Sequence, residues 1–188
     1  MIKSLLEENR SIRRFDFSKK IEDSTLKKLV ELTRYCASGR NLQPLRYRIV
    51  STETECKAIF PYLAWAGYYK DWEGPEEKER PAAYIIQCMD TSLAPDCLCD
   101  DGLQLEAITL GATASGIGGC IIKSFNMQKI AEILHIQPRF KPRYVLALGY
   151  PVEKAKIVDL NDEGDIRYYR DSEQIQCVPK RPITELLL

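Results

Sequence analysis

Apolar and polar residues follow helical spacing in some parts of the chain and strand-like spacing in others, so both kinds of element are expected. The helical parts are residues 2–8, 24–36 and 98–115, with a fourth helix between Asn126 and Pro138. The strand-like runs are residues 46–51, 82–89, 118–122 and 143–151. These elements show no regular strand–helix–strand rhythm, which favours an α+β fold with one antiparallel or mixed sheet and helices around it.

Local signals mark the expected helix ends. Ser24 stands at the N-cap position of the second helix, in which Leu29 and Val30 share one face. Asn126 is placed to cap the fourth helix. Gly116 follows the long third helix as a natural C′ residue, because glycine adopts the left-handed conformation that often ends a helix.

Two stretches lack such periodicity. Residues 61–81 concentrate aromatic side chains and then become acidic and proline-rich, which indicates a loop-rich excursion or lid rather than core. Beyond Pro151 the chain is charged and rich in turn residues until its apolar end, ITELLL. Because there are no repeats and no low-complexity segment, residues 1–188 are interpreted as a single domain.

The composition narrows the class of protein. The 27 basic and 27 acidic side chains cancel, so no overall field attracts nucleic acid or an anionic membrane. The N-terminus has no signal-peptide pattern, and no apolar run approaches the roughly 20 residues that span a bilayer. We therefore expect a cytoplasmic protein that binds neither nucleic acid nor membranes.

Seven cysteines and one histidine give little support for a metal site. An odd number of cysteines in a chain of this size is typical of free thiols in a reducing compartment. Cys97 and Cys99 form a CxC pair, whereas zinc sites more typically combine CxxC pairs with further ligands. The cysteines are interpreted as small buried hydrophobes, with a metal site as the minor alternative, and His135 as a structural histidine on a helix.

Two basic clusters, far apart in the sequence, are candidates for binding a phosphate group. Arg10, Ser11 and Arg13 follow the first helix, and Lys180 and Arg181 lie near the end of the chain. Arginine offers a bidentate fork, lysine a point charge and serine a hydroxyl donor. If the fold joins the clusters, they form a cradle for one phosphate. Taken separately, each is explained by a helix C-terminus or a solvated tail.

A second candidate lies in ASGRNLQP, residues 37–44, where Ser38, Asn41 and Gln43 supply donors and acceptors that match the edge of a heterocycle. The glycines of ASGIGGCIIKSF, residues 114–125, permit a flat ligand to approach the backbone closely. Each stretch also has a structural explanation. The first is compatible with an Asx-type turn, and the second with a helix C-cap followed by a tight turn.

No set of side chains for acid–base or nucleophilic catalysis stands out. Asp100 and Asp101 are adjacent carboxylates, but at a helix start such residues more often complement the helix dipole. Candidate sites for a phosphate and a heterocycle, without catalytic side chains, are typical of a protein whose cofactor carries the chemistry.

Five segments, in order along nearly the whole chain, resemble the FMN-dependent nitroreductase family. They are RSIRRF (10–15), ASGRNLQP (37–44), DDGLQLEAITLGATASGIGGC (100–120), VLALGYP (145–151) and VPKRP (178–182). The resemblance implies an α+β homodimer with a mainly antiparallel central sheet and FMN sites at the subunit interface. It also implies a C-terminal tail that extends to the partner subunit.

The resemblance assigns roles to residues as well. The FMN-binding residues that it implies are Arg10, Ser11, Arg13, Ala37, Ser38, Gly39, Asn41, Gly118, Gly119, Lys180 and Arg181. Their basic and hydroxyl side chains would hold the phosphate, and the Gly118–Gly119 backbone would border the ring near its N5. The sequence departs from the family pattern at Asn9, where arginine is commoner, and at Ala37 and Leu45.

The implied activity is a ping-pong reaction in which hydride passes from NAD(P)H through flavin N5 to an acceptor such as a nitroaromatic or a quinone. The candidate substrate-covering residues are Trp65, Tyr68, Tyr69 and Trp72, which equally fit packing at a dimer interface. Flavin reductase and dehalogenase-like activities are alternatives within the family. A flavin-binding protein for sensing or storage, without useful turnover, is a further alternative.

Overall fold

The computed structural model describes residues 2–188, which form two sheets and five α-helices. The helices are α1 (Ile2–Glu8), α2 (Asp23–Glu31), α3 (Glu53–Ile59), α4 (Asp100–Ala114) and α5 (Met127–Ile133). The strands of the larger sheet are β1 (Leu45–Val50), β2 (Ala83–Asp90), β3 (Gly118–Ile122) and β4 (Phe140–Gly149). Their order is β1-β2-β4-β3, and every neighbouring pair is antiparallel. The predicted α+β architecture is confirmed.

The central strands separate two apolar clusters. Ile86 and Val145 belong to the cluster that also includes residues of α3 and α5. Ile85 and Leu146 point to the other face, where α2 and α4 pack. Successive residues of a strand face opposite sides of its sheet. Every residue of β2 is buried, and this explains why its sequence is mainly apolar, with Gln87 and Asp90 as its buried polar residues.

The predicted C-terminal end of α4 and the predicted N-cap of α5 are confirmed, whereas α4 begins at Asp100 and α5 ends at Ile133, before the predicted stop near Pro138. Gly116 has a φ of 70° and follows the C-cap residue Ser115. This left-handed conformation favours glycine because it has no Cβ. The Asn126 side chain accepts a hydrogen bond from the Lys129 backbone N–H at 3.1 Å, so it caps α5.

The second helix differs from its prediction at both ends. It begins at Asp23, and its cap residue Glu22 makes no side-chain hydrogen bond, so the prediction of Ser24 as N-cap is wrong. After α2 the chain tightens into a 3₁₀-helix at Leu32–Tyr35. The α-helix is therefore shorter than the predicted residues 24–36.

The C-terminal part forms a second sheet that the sequence does not predict. Its strands are β5 (Ala155–Asp159), β6 (Tyr169–Arg170) and β7 (Gln176–Lys180). β7 lies in the middle, parallel to β5 and antiparallel to β6. β5 and β6 are short and largely exposed, so they lack the apolar alternation by which strands are recognised.

Residues 61–81 contain neither a strand nor an α-helix, in agreement with the predicted loop, but part of this segment is core. Leu63, Trp65 and Ala66 are each 8% exposed. Trp65 belongs to the cluster beside α3 and α5, and Gly74 lies against its ring. Trp65 is therefore a packing residue, and the expectation that it covers a substrate is wrong because its ring is buried in the core.

The cysteines and the histidine differ in part from expectation. Among the free cysteines, Cys36 is half-buried and Cys99 is exposed, so the interpretation of every cysteine as a buried hydrophobe is wrong at these positions. His135 follows the end of α5, with a φ of 51° and an exposed side chain, and is not on a helix. Within residues 2–188, no group of three His, Cys, Asp or Glu side chains is arranged to hold a metal ion.

No helix within the described part of the chain is long and apolar enough to cross a membrane.

The close packing of Phe15 against Gly149 can be tested by substitution. The Phe15 ring is fully buried, and a Cβ added at Gly149 would lie 2.8 Å from the Phe15 Cβ. We expect Gly149→Ala to lower the free energy of unfolding by about 1–3 kcal/mol, because a close-packed ring would have to shift. Urea unfolding measures this change.

The matched control is Gly102→Ala in α4, where an added Cβ meets no atom within 4 Å. Alanine favours a helix over glycine by up to about 1 kcal/mol, so this variant should be neutral or more stable. A Gly149→Ala protein as stable as the parent would contradict the packing described.

Candidate functional site

Residues 37–44 form a polar connection between helix α2 and strand β1. Asp100, the first residue of α4, binds this polar connection. The Asp100 carboxylate is 1% exposed and accepts hydrogen bonds from the Ser38 hydroxyl at 2.6 Å and the Gly39 N–H at 2.9 Å. The Ser38 oxygen in turn accepts a hydrogen bond from the Gln43 N–H at 2.9 Å. Hydrogen bonds to an ionised acceptor are stronger than neutral ones. Asp100 is therefore an anchor for the polar connection, beyond the helix-dipole role that the sequence suggests.

The polar connection has an unusual backbone. Arg40, Asn41 and Gln43 have positive φ angles of 52°, 56° and 48°. Such angles are uncommon outside glycine and persist where surrounding contacts hold them. Gln43 Nε2 donates to Asn41 Oδ1 at 3.1 Å, so the two carboxamides pair with each other. Asn41 remains exposed, beside a cavity of about 200 Å³ that Ser38 and Gln43 also line.

Asp101 ties α4 to the central sheet. Arg143 of β4 donates two hydrogen bonds to its Oδ2, at 2.7 and 3.1 Å, and the Gly102 N–H donates to its Oδ1 at 2.8 Å. Burial opposes ionisation of this carboxyl, but the hydrogen bonds outweigh that effect and lower its pKa. Asp101 is therefore an ionised structural residue rather than a proton donor or acceptor.

Residues 10–14, the basic segment, follow α1 and lie along β3. Ser11 forms a parallel bridge with Gly119, and the Ile12 N–H donates to the Gly119 carbonyl at 2.9 Å. A Cβ at Gly118 would lie only 2.9 Å from the Ile12 Cβ, so glycine is needed for this close approach. The structure brings the basic segment and the two glycines together. Both glycines are buried, and their packing is explained without a ligand.

The guanidinium groups of the basic segment have different surroundings. Arg10 donates to a carbonyl of α1 at 2.5 Å, and its Nε is buried without a partner among the described residues. Arg13 lies over the Tyr168 ring, with its Cζ 4.9 Å from the ring centre. Arg14 makes two hydrogen bonds to Glu79, at 2.6 and 2.7 Å, which raise the pKa of Arg14. Arg10 and Arg13 thus have capacity for an anion, whereas Arg14 is already paired.

Helix α4 separates the polar connection from the basic segment. Asn9, directly before the basic segment, donates to Glu106 at 3.1 Å and to Thr109 at 2.9 Å. Asp100 holds the polar connection at the first residue of the same helix. A helix rises about 1.5 Å per residue, so the 15 residues of α4 are about 20 Å long. Glu106 and Thr109 lie six and nine residues after Asp100, so within one chain the two regions contact α4 about 9–14 Å apart along its axis.

Within the described chain, no hydrogen bond or ion pair joins Lys180 or Arg181 to the basic segment. Lys180 ends β7 with an exposed side chain that makes no hydrogen bond or ion pair among the described residues. Arg181 pairs with Glu185 at 2.7 Å in the exposed tail.

The other three candidate substrate-covering residues pack against the C-terminal part. Tyr69 and Trp72 both face Arg170, whose Cζ lies 5.2 Å from each ring centre. Tyr68 and Tyr69 contact the Tyr168 ring at centroid distances of 4.8 and 5.3 Å. A cavity of about 520 Å³ lies beside Tyr68 and Tyr69. These rings form an aromatic cluster whose open side faces solvent.

Two residues that organise this region are absent from the predicted site. Asp100 carries a recognisable signal, a pair of acidic residues at a helix start, but its partner Ser38 lies 62 residues away in sequence. Glu153 accepts hydrogen bonds from the backbone of Arg13 and Arg14. It follows the last central strand without any pattern that marks it, so only the tertiary structure reveals it.

Comparison with known sequences identifies the chain's relatives. The sequence profile of the nitroreductase family matches residues 6–95 and 99–150. These ranges include the basic segment, the polar connection, α4 and all four strands of the larger sheet. The C-terminal sheet lies outside them.

Solved structures with 17–21% identity share the fold. A nitroreductase family protein from Streptococcus pneumoniae TIGR4 is 18% identical, with a TM-score of 0.70 over 100% of this chain and 99% of that chain. An FMN-dependent nitroreductase from Clostridium difficile R20291 is 20% identical, with a TM-score of 0.68 over 87% and 93%. A protein provisionally named NADH oxidase, from Clostridium acetobutylicum, is 19% identical, with a TM-score of 0.60 over 78% and 87%.

The Asp100 anchor generates a test of the site geometry. We expect Asp100→Ala to lower the free energy of unfolding by about 1–3 kcal/mol, because the Ser38 hydroxyl and the Gly39 N–H lose their buried acceptor. The polar connection should also loosen. Hydrogen–deuterium exchange at the Gly39 and Gln43 amides measures that loosening, and both amides should exchange faster in the variant.

The matched control is Asp162→Ala, at an exposed position near β5. It should change neither the stability nor the exchange of the polar connection. If exchange at Gly39 is the same in the Asp100→Ala protein as in the parent, Asp100 is not the anchor.

Proposed function

The chain belongs to the nitroreductase family, and on that basis we propose that it is an FMN-dependent oxidoreductase that works as a homodimer with shared flavin sites. The observation that carries the proposal is that the polar connection is held at the first residue of α4, whereas the basic segment begins beside Glu106 and Thr109 and continues along β3. A two-fold dimer can bring the polar connection of one protomer to the basic segment of its partner. Each flavin site then consists of the polar connection of one protomer and the basic segment of its partner.

The cofactor phosphate is assigned to the basic segment. Arg10 has a buried Nε without a partner in the described chain, and the Ser11 side chain is exposed. Arg13 has no carboxylate ion pair among the described residues, whereas Arg14 is held by Glu79. Gly118 and Gly119 contribute by letting the segment lie close to β3, rather than by bordering the ring with a free backbone edge.

The flavin ring is assigned to the polar connection of the partner protomer. Ala37 and Asn41 are exposed there, and Ser38 and Gly39 are half-buried by the Asp100 anchor. A carboxamide such as that of Asn41 offers both a donor and an acceptor to a heterocycle edge. The anchor fixes these groups before the ring binds, which lowers the ordering cost of binding.

The C-terminal tail is assigned to the dimer. Ile183, Leu186 and Leu187 are 65%, 64% and 69% exposed, and such clustered apolar side chains are usually covered by a partner. The exposed ion pair of Arg181 with Glu185 contributes little stability, so Arg181 is free to exchange that partner for a phosphate. Lys180 and Arg181 would then complete the cradle.

When bound, FMN supplies hydride transfer at N5 between NAD(P)H and an acceptor such as a nitroaromatic or a quinone, with the donor leaving before the acceptor binds. The residues of this chain hold and orient the cofactor and screen it from water. Tyr68, Tyr69 and Trp72 are proposed to cover the acceptor. Burial raises the pKa of the Cys56 thiol to about 11 and that of Cys88 to about 12, so these two thiols are poor nucleophiles near neutral pH.

The free cysteines favour a reducing compartment, and we therefore assign the protein to the cytoplasm.

Mixing two defective variants tests whether the site is shared. One variant carries Arg10→Ala and Ser11→Ala in the basic segment, and the other carries Ser38→Ala and Asn41→Ala in the polar connection. Each should bind little FMN alone. After joint unfolding and refolding, random pairing puts about half of the dimers in the mixed form, with one intact site each, so FMN binding should return to about a quarter of the parent value.

Flavin fluorescence after removal of free cofactor measures this recovery. The parent protein taken through the same refolding is the control, and it should bind FMN fully. If the mixture binds no more FMN than the separate variants, while the refolded parent binds normally, the site lies within one chain.

Arg181 tests the contribution of the tail. We expect Arg181→Ala to weaken FMN binding by about 10- to 100-fold, because a charge-assisted hydrogen bond to phosphate is lost. Arg139→Ala, at an exposed position after α5, is the control and should bind FMN as the parent does. Unchanged affinity in the Arg181→Ala protein would remove this residue from the site.

A further inference from the structure

Glu153 is a buried carboxylate that joins three parts of the chain. Its side chain is 2% exposed. Its Oε1 accepts hydrogen bonds from the backbone N–H groups of Arg13 at 2.5 Å and Arg14 at 3.1 Å. Its Oε2 accepts a hydrogen bond from Arg170 Nη2 at 3.0 Å. One side chain thus holds two consecutive amides of the basic segment on one side and the C-terminal sheet on the other.

The surroundings of Glu153 compensate its charge. A buried carboxylate is costly unless it is both hydrogen-bonded and paired with an opposite charge. Arg170 supplies that charge from a side chain that is itself only 16% exposed, between the Tyr69 and Trp72 rings. Because the pair is close to neutral, Glu153 adds little repulsion toward an anion bound at the basic segment.

Glu153 also binds the middle of the basic segment, between two other hydrogen bonds that hold its backbone. The Ile12 N–H binds β3, and the Phe15 N–H donates to the Glu79 carbonyl, both at 2.9 Å. Glu153 holds the two amides between these ties. One of them belongs to Arg13, whose side chain is assigned to the cofactor phosphate. The conformation of the assigned phosphate ligand therefore depends on a residue 140 positions away.

We propose that Glu153 is a positioning residue for the cofactor phosphate. It fixes the Arg13–Arg14 backbone so that the Arg13 guanidinium and the Ser11 hydroxyl converge on one anion. Through Arg170 it also connects the phosphate end of the site to the aromatic cluster. The role rests on the proposed function, because it concerns the same FMN site. Glu153 lies beyond residues 99–150, where the match to the family profile ends.

Comparison of FMN with riboflavin isolates the phosphate contribution, because riboflavin has the same ring and ribityl chain without the phosphate. The variant is Glu153→Gln, which removes the charge with little change in volume. Both ligands are titrated by flavin fluorescence against the parent protein and against Glu163→Gln, an exposed control near the same sheet. Circular dichroism and urea unfolding establish that each variant is folded.

We expect Glu153→Gln to weaken FMN binding by about 10- to 100-fold, because an ionised acceptor of two amides is lost. Riboflavin binding should change less than about twofold, since riboflavin has no phosphate to be positioned. Glu163→Gln should leave both affinities at the parent values. Equal weakening of both ligands, or no weakening of either, would overturn the proposal, because a general structural role would not distinguish them.

A second variant tests the positioning role of Glu153 if the Glu153→Gln protein does not fold. Arg170→Met keeps the carboxylate but frees its Oε2, and it should weaken FMN by about 3- to 10-fold while leaving riboflavin unchanged. Unchanged FMN affinity in a folded Arg170→Met protein would overturn the role of the Glu153–Arg170 pair. The parent titration separates this result from failure of the proposed function: a parent protein that binds neither FMN nor riboflavin contradicts the flavin site itself.

Discussion

The fixed length of α4 is the constraint on which the rest of the site depends. Asp100 ties the polar connection to the first residue of the helix, and Asn9 ties the start of the basic segment near its other end. The helix packs on the central sheet through buried residues such as Leu105 and Ile108, so its ends cannot move independently. The two regions are thus held at different points along one rigid helix, and this separation is the basis for proposing that a second copy completes the site.

Buried carboxylates hold several segments of the candidate site in place. Asp100 holds the polar connection, Asp101 binds Arg143 of the central sheet, and Glu153 holds the basic segment. Each lies where backbone amides or guanidinium groups compensate its charge, as a buried acid requires. All three accept hydrogen bonds from groups within the described chain. This distribution agrees with chemistry carried by a cofactor, for which the protein supplies geometry and electrostatics.

The sequence predicts the central sheet well, and the C-terminal part poorly, for physical reasons. β2 is buried on both faces, so its apolar run is unmistakable, and Gly116 ends α4 in the conformation that glycine favours. β5 and β6 are short and largely exposed, so their sequences show no alternation of apolar and polar residues. The aromatic residues look alike in sequence, yet Trp65 is core and Trp72 packs on Arg170, a difference that only long-range contacts determine.

The candidate site, too, is predictable from the sequence only in part. The residue types of the basic segment and the polar connection are enough, from the sequence alone, to indicate a phosphate and a heterocycle. The anchors Asp100 and Glu153 are recognised only from contacts across 62 and 140 residues of sequence. The places at which the two regions contact α4 are likewise known only from the tertiary structure.

The most direct test of the account is an absorption spectrum of the purified protein, with FMN added back and free cofactor removed, before and after NADH or NADPH is added without oxygen. We expect flavin bands that remain with the protein and bleach on addition of at least one of the two donors. Bands that remain but do not bleach with either donor would contradict the proposed oxidoreductase activity and favour a flavin-binding role. No retained flavin after reconstitution would contradict the flavin site itself.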